Sequence, residues 1–193
     1  MNTKTTLWGL IIVCVCSFSV LLSLGSEVYR EAPPIPSKIA TSSGDILFSN
    51  TDIDQGQMAW RSMGGHQLGS VWGHGSYVAP DWTADWIHRE AQAWLDSAAK
   101  QDYNASFSTL SKSQQAALEQ ELRSDIRPNR YDSESGVITV SPRRGAAIEV
   151  VMQHYVSLFG DSLATQQLRE DYAMKDNTLS TVERREHLSA FIF

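Results

Sequence analysis

The stretch GGHQLGSVWGHGSYVAPDWTADWIHRE, residues 64 to 90, changes character half-way along. Its first part carries Gly64, Gly65, Gly69, Gly73 and Gly75, a glycine density that breaks regular structure and suits tight turns or close backbone approach. Trp72, Tyr77 and Val78 give the same part apolar weight, so an ordered loop is expected rather than a disordered linker. From Asp81 onward the pattern turns helical. Asp81 or Thr83 can cap a segment in which Ala84, Ile87, Ala91, Trp94, Leu95 and Ala98 recur at spacings of three and four, and the helix is expected to end near Lys100. Trp82 and Trp86, four residues apart, share one helical face that Trp94 extends. Five of the six tryptophans fall between Trp60 and Trp94, and core packing is the reading preferred over a stacking platform for flat ligands.

Downstream the helical signal continues. Ser111 and Gln114 form a capping box that opens a helix through Leu118 and Leu122 to Ile126, stopped by Pro128. Gly136 to Val140 is a short β-rich run, expected as half of a small hairpin. Ser141 as cap and Pro142 in the first turn start a helix with Ile148, Val151, Met152, Tyr155 and Phe159 on one stripe, closing at Gly160. A last helix is expected from the box Ser180 and Glu183, and it turns apolar at Ala190, Phe191, Ile192 and Phe193. Those residues either dock into the core or begin a second membrane helix that is cut short; residues 181 to 193 are assigned to the second reading.

Upstream, a strand is expected at Asp45 to Phe48 and a helix at Asp52 to Trp60. Pro33, Pro34 and Pro36 favour an extended spacer over residues 31 to 42, and the globular part is expected over 43 to 180. Leu7 to Leu24 is uncharged, and as a helix it crosses most of a ~30 Å hydrocarbon layer. A cleaved signal peptide is the alternative, with Lys4 before the run and Ser23 to Gly25 after it; the run exceeds the usual ~7–15 residue signal core and favours an anchor over residues 1 to 30. Lys4 places the N-terminus on the cytoplasmic side, with the soluble domain outside. The fold class is therefore mainly α, a transmembrane helix followed by a helical domain with a glycine-rich loop and a small β element.

Composition narrows the chemistry. With 16 Lys plus Arg against 22 Asp plus Glu, and no basic run, a nucleic-acid partner is excluded. The only cysteines, Cys14 and Cys16, lie in the apolar run, so the soluble part offers no Cys-x-x-Cys-His for haem, no disulfide and no thiolate metal site. His66, His74 and His88, near Asp81 and Asp85, are ligand types for zinc or iron, but their spacing argues for loop and surface hydrogen bonding instead. Gly73-His74-Gly75-Ser76 hints at a hydrolase, yet Gly-x-Ser-x-Gly is absent. His154 reads as a boundary residue rather than a proton carrier.

The run from Gly64 to Glu90 resembles the signature of the soluble region in quinol-dependent nitric oxide reductases, with Gly73, His74, Gly75, Tyr77, Pro80, Asp81, Thr83, Asp85 and His88 as its motif. The likeness includes Asp52-x-Asp54-x-Gly56-Gln57 upstream and Tyr172 to Thr178 downstream. The resemblance implies an extracytoplasmic, cytochrome-c-like domain without its haem, behind an anchor in the cytoplasmic membrane. It also implies a partner: a helical bundle holding two b-type haems and a non-haem iron, which takes electrons from quinol and reduces two nitric oxide molecules to nitrous oxide and water. Nothing in this chain matches the bundle's ligands, so no cofactor and no catalytic residue is expected here, and the chain reads as the front portion of such an enzyme, inactive alone. A free-standing, membrane-anchored interaction module is the alternative.

Overall fold

A computed structural model describes residues 3–75 and 78–193, which form two compact units, Met1–Ile35 and Pro36–Phe193. The first unit is one helix, α1 (Thr3–Arg30), with no buried residue. Its 28 residues rise roughly 42 Å, and the helix is long and apolar enough to cross a membrane.

The second unit is mainly helical. Its elements are β1 (Lys38–Thr41), β2 (Ile46–Ser49), α2 (Asn50–Ser62), α3 (Trp82–Tyr103), α4 (Lys112–Ile126), β3 (Tyr131–Asp132), β4 (Val137–Val140), α5 (Pro142–Leu158), α6 (Gln166–Asp171) and α7 (Val182–Ile192). The four strands form one sheet in the order β2-β1-β4-β3. β1 pairs antiparallel with β2, and β3 antiparallel with β4, which gives the expected hairpin. β1 and β4 are parallel, Lys38 opposite Val137 through Thr41 opposite Val140, so the start of the domain is tied to its middle. No local pattern announces that pairing, because parallel strands meet only after a long crossover.

Three expectations change. The interval given to the proline spacer contains β1, whose Ile39 and Ala40 are buried: only Glu31 to Ser37 precede the sheet, and the domain starts earlier than residue 43. The last helix is capped by Thr181, not Ser180, the Thr181 side chain accepting from the Arg184 amide. Its apolar residues do dock: Leu188, Ala190 and Ile192 are buried, and Phe191 and Phe193 pack on the same core. The helix assigned to the membrane is thus a core helix of the domain, since Phe48, Trp60 and Trp86 offer it an aromatic seat. α2 and α7 approach so closely that a Cβ at Gly56 would collide with the His187 carbonyl. Any side chain there would push α7 out of the core.

The caps follow the sequence elsewhere. Ser111 and Gln114 close their box, Ser141 accepts from the Arg144 amide ahead of α5, and Asp81 caps α3. Ser49 and Asp52 add a capping box for α2. α3 runs past Lys100 to Tyr103, and Asn104 at φ 51° ends it in the left-handed conformation asparagine tolerates.

Candidate functional site

The site is the junction between the glycine-rich loop and α3, with the polar groups beneath it. Asp81 is its hub: one carboxylate oxygen accepts from the amides of Thr83 (2.9 Å) and Ala84 (3.3 Å), the other from the Gly73 amide. The helix cap and the loop closure are therefore the same side chain. Ser70 completes the closure, its Oγ accepting from the Gly75 amide at 2.8 Å and its carbonyl from the Trp82 amide at 2.8 Å. The Pro80 carbonyl takes the Ser70 amide in return, at 3.4 Å. Gly75, at φ 77°, sits where a side chain would be strained. Thr83 is buried, accepts from the Trp72 amide (3.3 Å) and donates to the Ile192 carbonyl (3.4 Å), which links loop, α3 and α7.

One turn further along α3, Asp85 turns inward. Its Oδ2 accepts from Arg89 Nε and from the Tyr155 hydroxyl of α5, both at 2.7 Å. Burial and then the Asp85 carboxylate push the Tyr155 phenol far above its ordinary range, so it remains a proton donor. Burial alone would weaken the Arg89 charge, but Asp85 reverses that and leaves the guanidinium above its usual value. Tyr172 is raised by burial first and Asp85 second. His154 adjoins this group with Nε2 buried and without a hydrogen-bond partner; burial, then Arg89, lower it to about 4. A second turn along, Glu90 is 1% exposed. It accepts from Trp86 Nε1 (3.1 Å) and from Arg144 Nε (2.5 Å), whose guanidinium stands 5.8 Å from the Phe193 ring centroid.

Of the motif residues, Gly73, Gly75, Pro80, Asp81 and Thr83 come together at the loop closure, and Asp85 joins Arg89 and Tyr155. His74 and His88 are exposed and stand apart from both groups. Tyr77 lies outside the described residues. Among the described residues, no three of His, Cys, Asp and Glu stand close enough to hold a metal ion. Arg89, Glu90, Arg144, Tyr155 and Tyr172 are the polar partners that sequence reasoning missed. One signal was available: Glu90 is four residues from Trp86 and eight from Trp82, in phase with the aromatic face. The aliphatic phase misleads, since Ile87 is 51% exposed while Trp82, Trp86, Glu90, Trp94 and Ala98 form the buried stripe.

The centre beneath the junction is filled with rings. Trp86 stacks on Tyr155 at 5.3 Å with 5° between planes, and Trp82 meets Phe159, Tyr172 and Tyr155 at 5.3, 5.6 and 6.0 Å. Each buried tryptophan removes ~150–250 Å² from water, about 4–6 kcal/mol of transfer energy before conformational entropy.

A family model described as the NorB cytochrome c-like domain of nitric oxide reductase matches residues 36–193. The chain belongs to this family. The match takes in both β1 and α7, so the cytochrome c-like domain is the whole second compact unit. No curated protein matches the chain. In this cytochrome c-like domain the carboxylates of Asp81, Asp85 and Glu90 are each engaged by amides, guanidinium groups, a phenol or an indole, which tie the loop to α3 and α3 to α5.

Proposed function

We propose that this chain supplies the membrane anchor and the extracytoplasmic domain of a quinol-dependent nitric oxide reductase, and that the domain carries no covalent haem. The family match across residues 36–193 supports the domain, and the length and apolar composition of α1 support the anchor. The lack of covalent haem rests on the donor set: both cysteines, Cys14 and Cys16, lie in α1, and the domain has no thiol for a thioether bond. In place of a haem crevice the helices close on one another through Trp82, Trp86, Tyr155 and Phe159.

In this reading α1 crosses the cytoplasmic membrane with its N-terminus inside, and the domain works on the periplasmic side of a denitrifying enzyme as a rigid platform beside a helical bundle. Coupling two nitric oxide molecules takes two electrons and two protons, so the chemistry needs a redox metal beside a proton route. Leu7 to Leu24 has no His, Glu or Asp for either task, and the five histidines of the chain are spread over His66, His74, His88, His154 and His187. The bundle's haems and iron therefore do the chemistry, and these 193 residues position them.

The test is nitric oxide consumption by membranes that contain only this chain, supplied with reduced quinol. The expected rate is that of quinol alone, with activity appearing when the chain is joined to a haem- and iron-bearing bundle. Turnover by the chain alone overturns the proposal. So does a Soret band that survives denaturing electrophoresis.

A further inference from the structure

Among the asparagines of the chain only Asn104 has a hydroxyl residue two positions on, in Asp102-Tyr103-Asn104-Ala105-Ser106. Asn-x-Ser, with x other than proline, is the acceptor pattern for an N-linked glycan, and it carries meaning only on an exposed surface. Asn104 is exposed, directly after α3, where the backbone turns left-handed at φ 51°. Glycine meets such a turn equally well, so the turn alone does not call for a carboxamide. The other described asparagines all use theirs. Asn50 donates to the Pro36 carbonyl (3.5 Å), Asn129 accepts from the Tyr131 amide (3.0 Å), and Asn177 accepts from Arg185 (2.6 Å). The Asn104 carboxamide has no hydrogen bond among the described residues. Ser106 follows in extended backbone and its side chain caps no amide, touching only the hydroxyls of Ser108 (3.3 Å) and Thr109 (3.2 Å).

We propose that Asn104 carries an N-linked glycan, taken from a polyprenyl-pyrophosphate-linked oligosaccharide by a membrane transferase. In that transfer Asn104 Nδ2 forms a bond to C1 of the first sugar and the bond from C1 to the pyrophosphate oxygen breaks. The pyrophosphate leaves with the electron pair, and the amide proton passes to a base of the transferase. The enzyme must grip the carboxamide and the Ser106 hydroxyl together, and a carboxamide already bonded within the fold would first have to be pulled free. That of Asn104 is ready to be gripped. The Ser106 contacts lie at the surface, where water already competes for them. Asp102 supplies an acidic side chain two residues before the asparagine, a position that bacterial transferases also read; here it accepts from Arg143 at the surface, at 3.0 Å. There is room for a sugar as well. Asn104, Ala105 and Ser106 line an open groove of about 410 Å³ with Asp96 and Lys100, two exposed side chains able to bond sugar hydroxyls.

The proposal rests on the domain lying outside the cytoplasmic membrane, and the experiment separates the two. The full chain, extended after Phe193 by a flexible tail with its own Asp-x-Asn-x-Ser acceptor, is produced in bacteria that carry an extracytoplasmic oligosaccharyltransferase and its polyprenyl-linked glycan. The transferase is verified in the same cells on a soluble periplasmic acceptor, and peptides of the purified chain are mapped by mass. Two glycans per chain are expected, one on the tail and one on the peptide that contains Asn104. N104Q and S106A should each keep only the tail glycan, and S106T should keep both. A glycan on the tail alone in the native sequence overturns the site and leaves the domain's location standing. No glycan on either removes the location and the proposal together. The same peptide from the untagged chain in its own cells is expected to be heavier by one glycan, and a bare peptide there also overturns the proposal.

Discussion

Two irregular segments flank the α3–α5 pair, and they are held by opposite chemistry. In the glycine-rich loop leading to Asp81, side-chain oxygens collect backbone amides: Asp81, Ser70 and Thr83 accept from Gly73, Gly75 and Trp72. In the segment between Phe159 and Thr181, guanidinium groups collect carbonyls. Arg169, only 2% exposed, donates to Ser157 (3.4 Å), Ser162 (2.9 Å), Thr165 Oγ1 (2.7 Å) and Asp176 (2.7 Å). Arg185 donates to Leu179 (2.6 Å), Asn177 Oδ1 (2.6 Å) and Ser180 (3.3 Å). The difference lies in what is deleted. The Gly73 amide of the first loop is at the surface, where water replaces a lost partner. Arg169 is buried, and its removal takes a charged donor from the Ser157 and Ser162 carbonyls and the Thr165 hydroxyl where water replaces it less readily.

The sharpest break of that contrast is R169M. It keeps most of the volume but takes the buried charged donor from the carbonyls of Ser157 and Ser162 and from the Thr165 hydroxyl, while Asp176, itself mostly exposed, turns to water. The expected loss is about 2–4 kcal/mol, read as the urea midpoint of the full chain in detergent. A loss under about 1 kcal/mol would mean that water enters this segment as readily as the first loop, and the distinction would fall.

Acid sharpens the comparison at the place where the two halves meet, since His154 adjoins the Asp85 and Arg89 pair of α3 from within α5. The fold favours a neutral imidazole, lowered from 6.5 to about 4, so between those values the unfolded chain binds the extra proton. Stability is flat above pH 6.5 and falls as the pH drops through that window. The shift is worth about 3 kcal/mol undiscounted, and screening of this partly exposed ring brings it to about 1–2 kcal/mol. Denaturant midpoints at about pH 7 and about pH 4.5 should differ by that amount more in the native chain than in H154Q. An equal acid loss in both would place the titration on other groups.

D81A tests the first loop alone. Removing the hub should cost about 0.5–2 kcal/mol, as for an ordinary lost cap, because the freed Gly73 and Ala84 amides lie at the surface and only the Thr83 amide is part-buried. An unchanged melting temperature would show that Thr83 takes over as cap. The smallest effect belongs to Trp72. Its ring is exposed, so W72S should change stability by no more than about 0.5 kcal/mol. A larger loss in the thermal midpoint would mean that the ring packs on the domain.

Much of the helical fold could be read from local pattern, and the reasons differ by element. Ser111 with Gln114, Ser141 with Pro142, and Asp81 ahead of Trp82 are short-range devices whose partners lie within three residues, so they hold wherever the helix goes. The loop closure was partly legible. Gly73, Gly75, Pro80 and Asp81 stood out as a turn leading into a cap, but the carboxylate's reach to the Gly73 amide spans eight residues and depends on the loop's path.

By itself the sequence determined an apolar helix at Leu7 to Leu24, a domain without thiols, the caps Asp81, Ser111 and Ser141, and a motif that places the chain with the nitric oxide reductases. Each is settled by composition or by neighbours a few residues apart. Only the tertiary structure decided the rest. It put Glu90 in the core because Arg144, 54 residues away, brings the compensating charge. It turned Asp85 inward because Tyr155, 70 residues on, meets it. It set β1 beside β4 and sank Phe191 to Phe193 among aromatic rings, where local pattern had suggested a spacer and a membrane helix. An apolar or charged side chain has several environments open to it, and the physical choice among them is made by residues that come near only when the chain is folded.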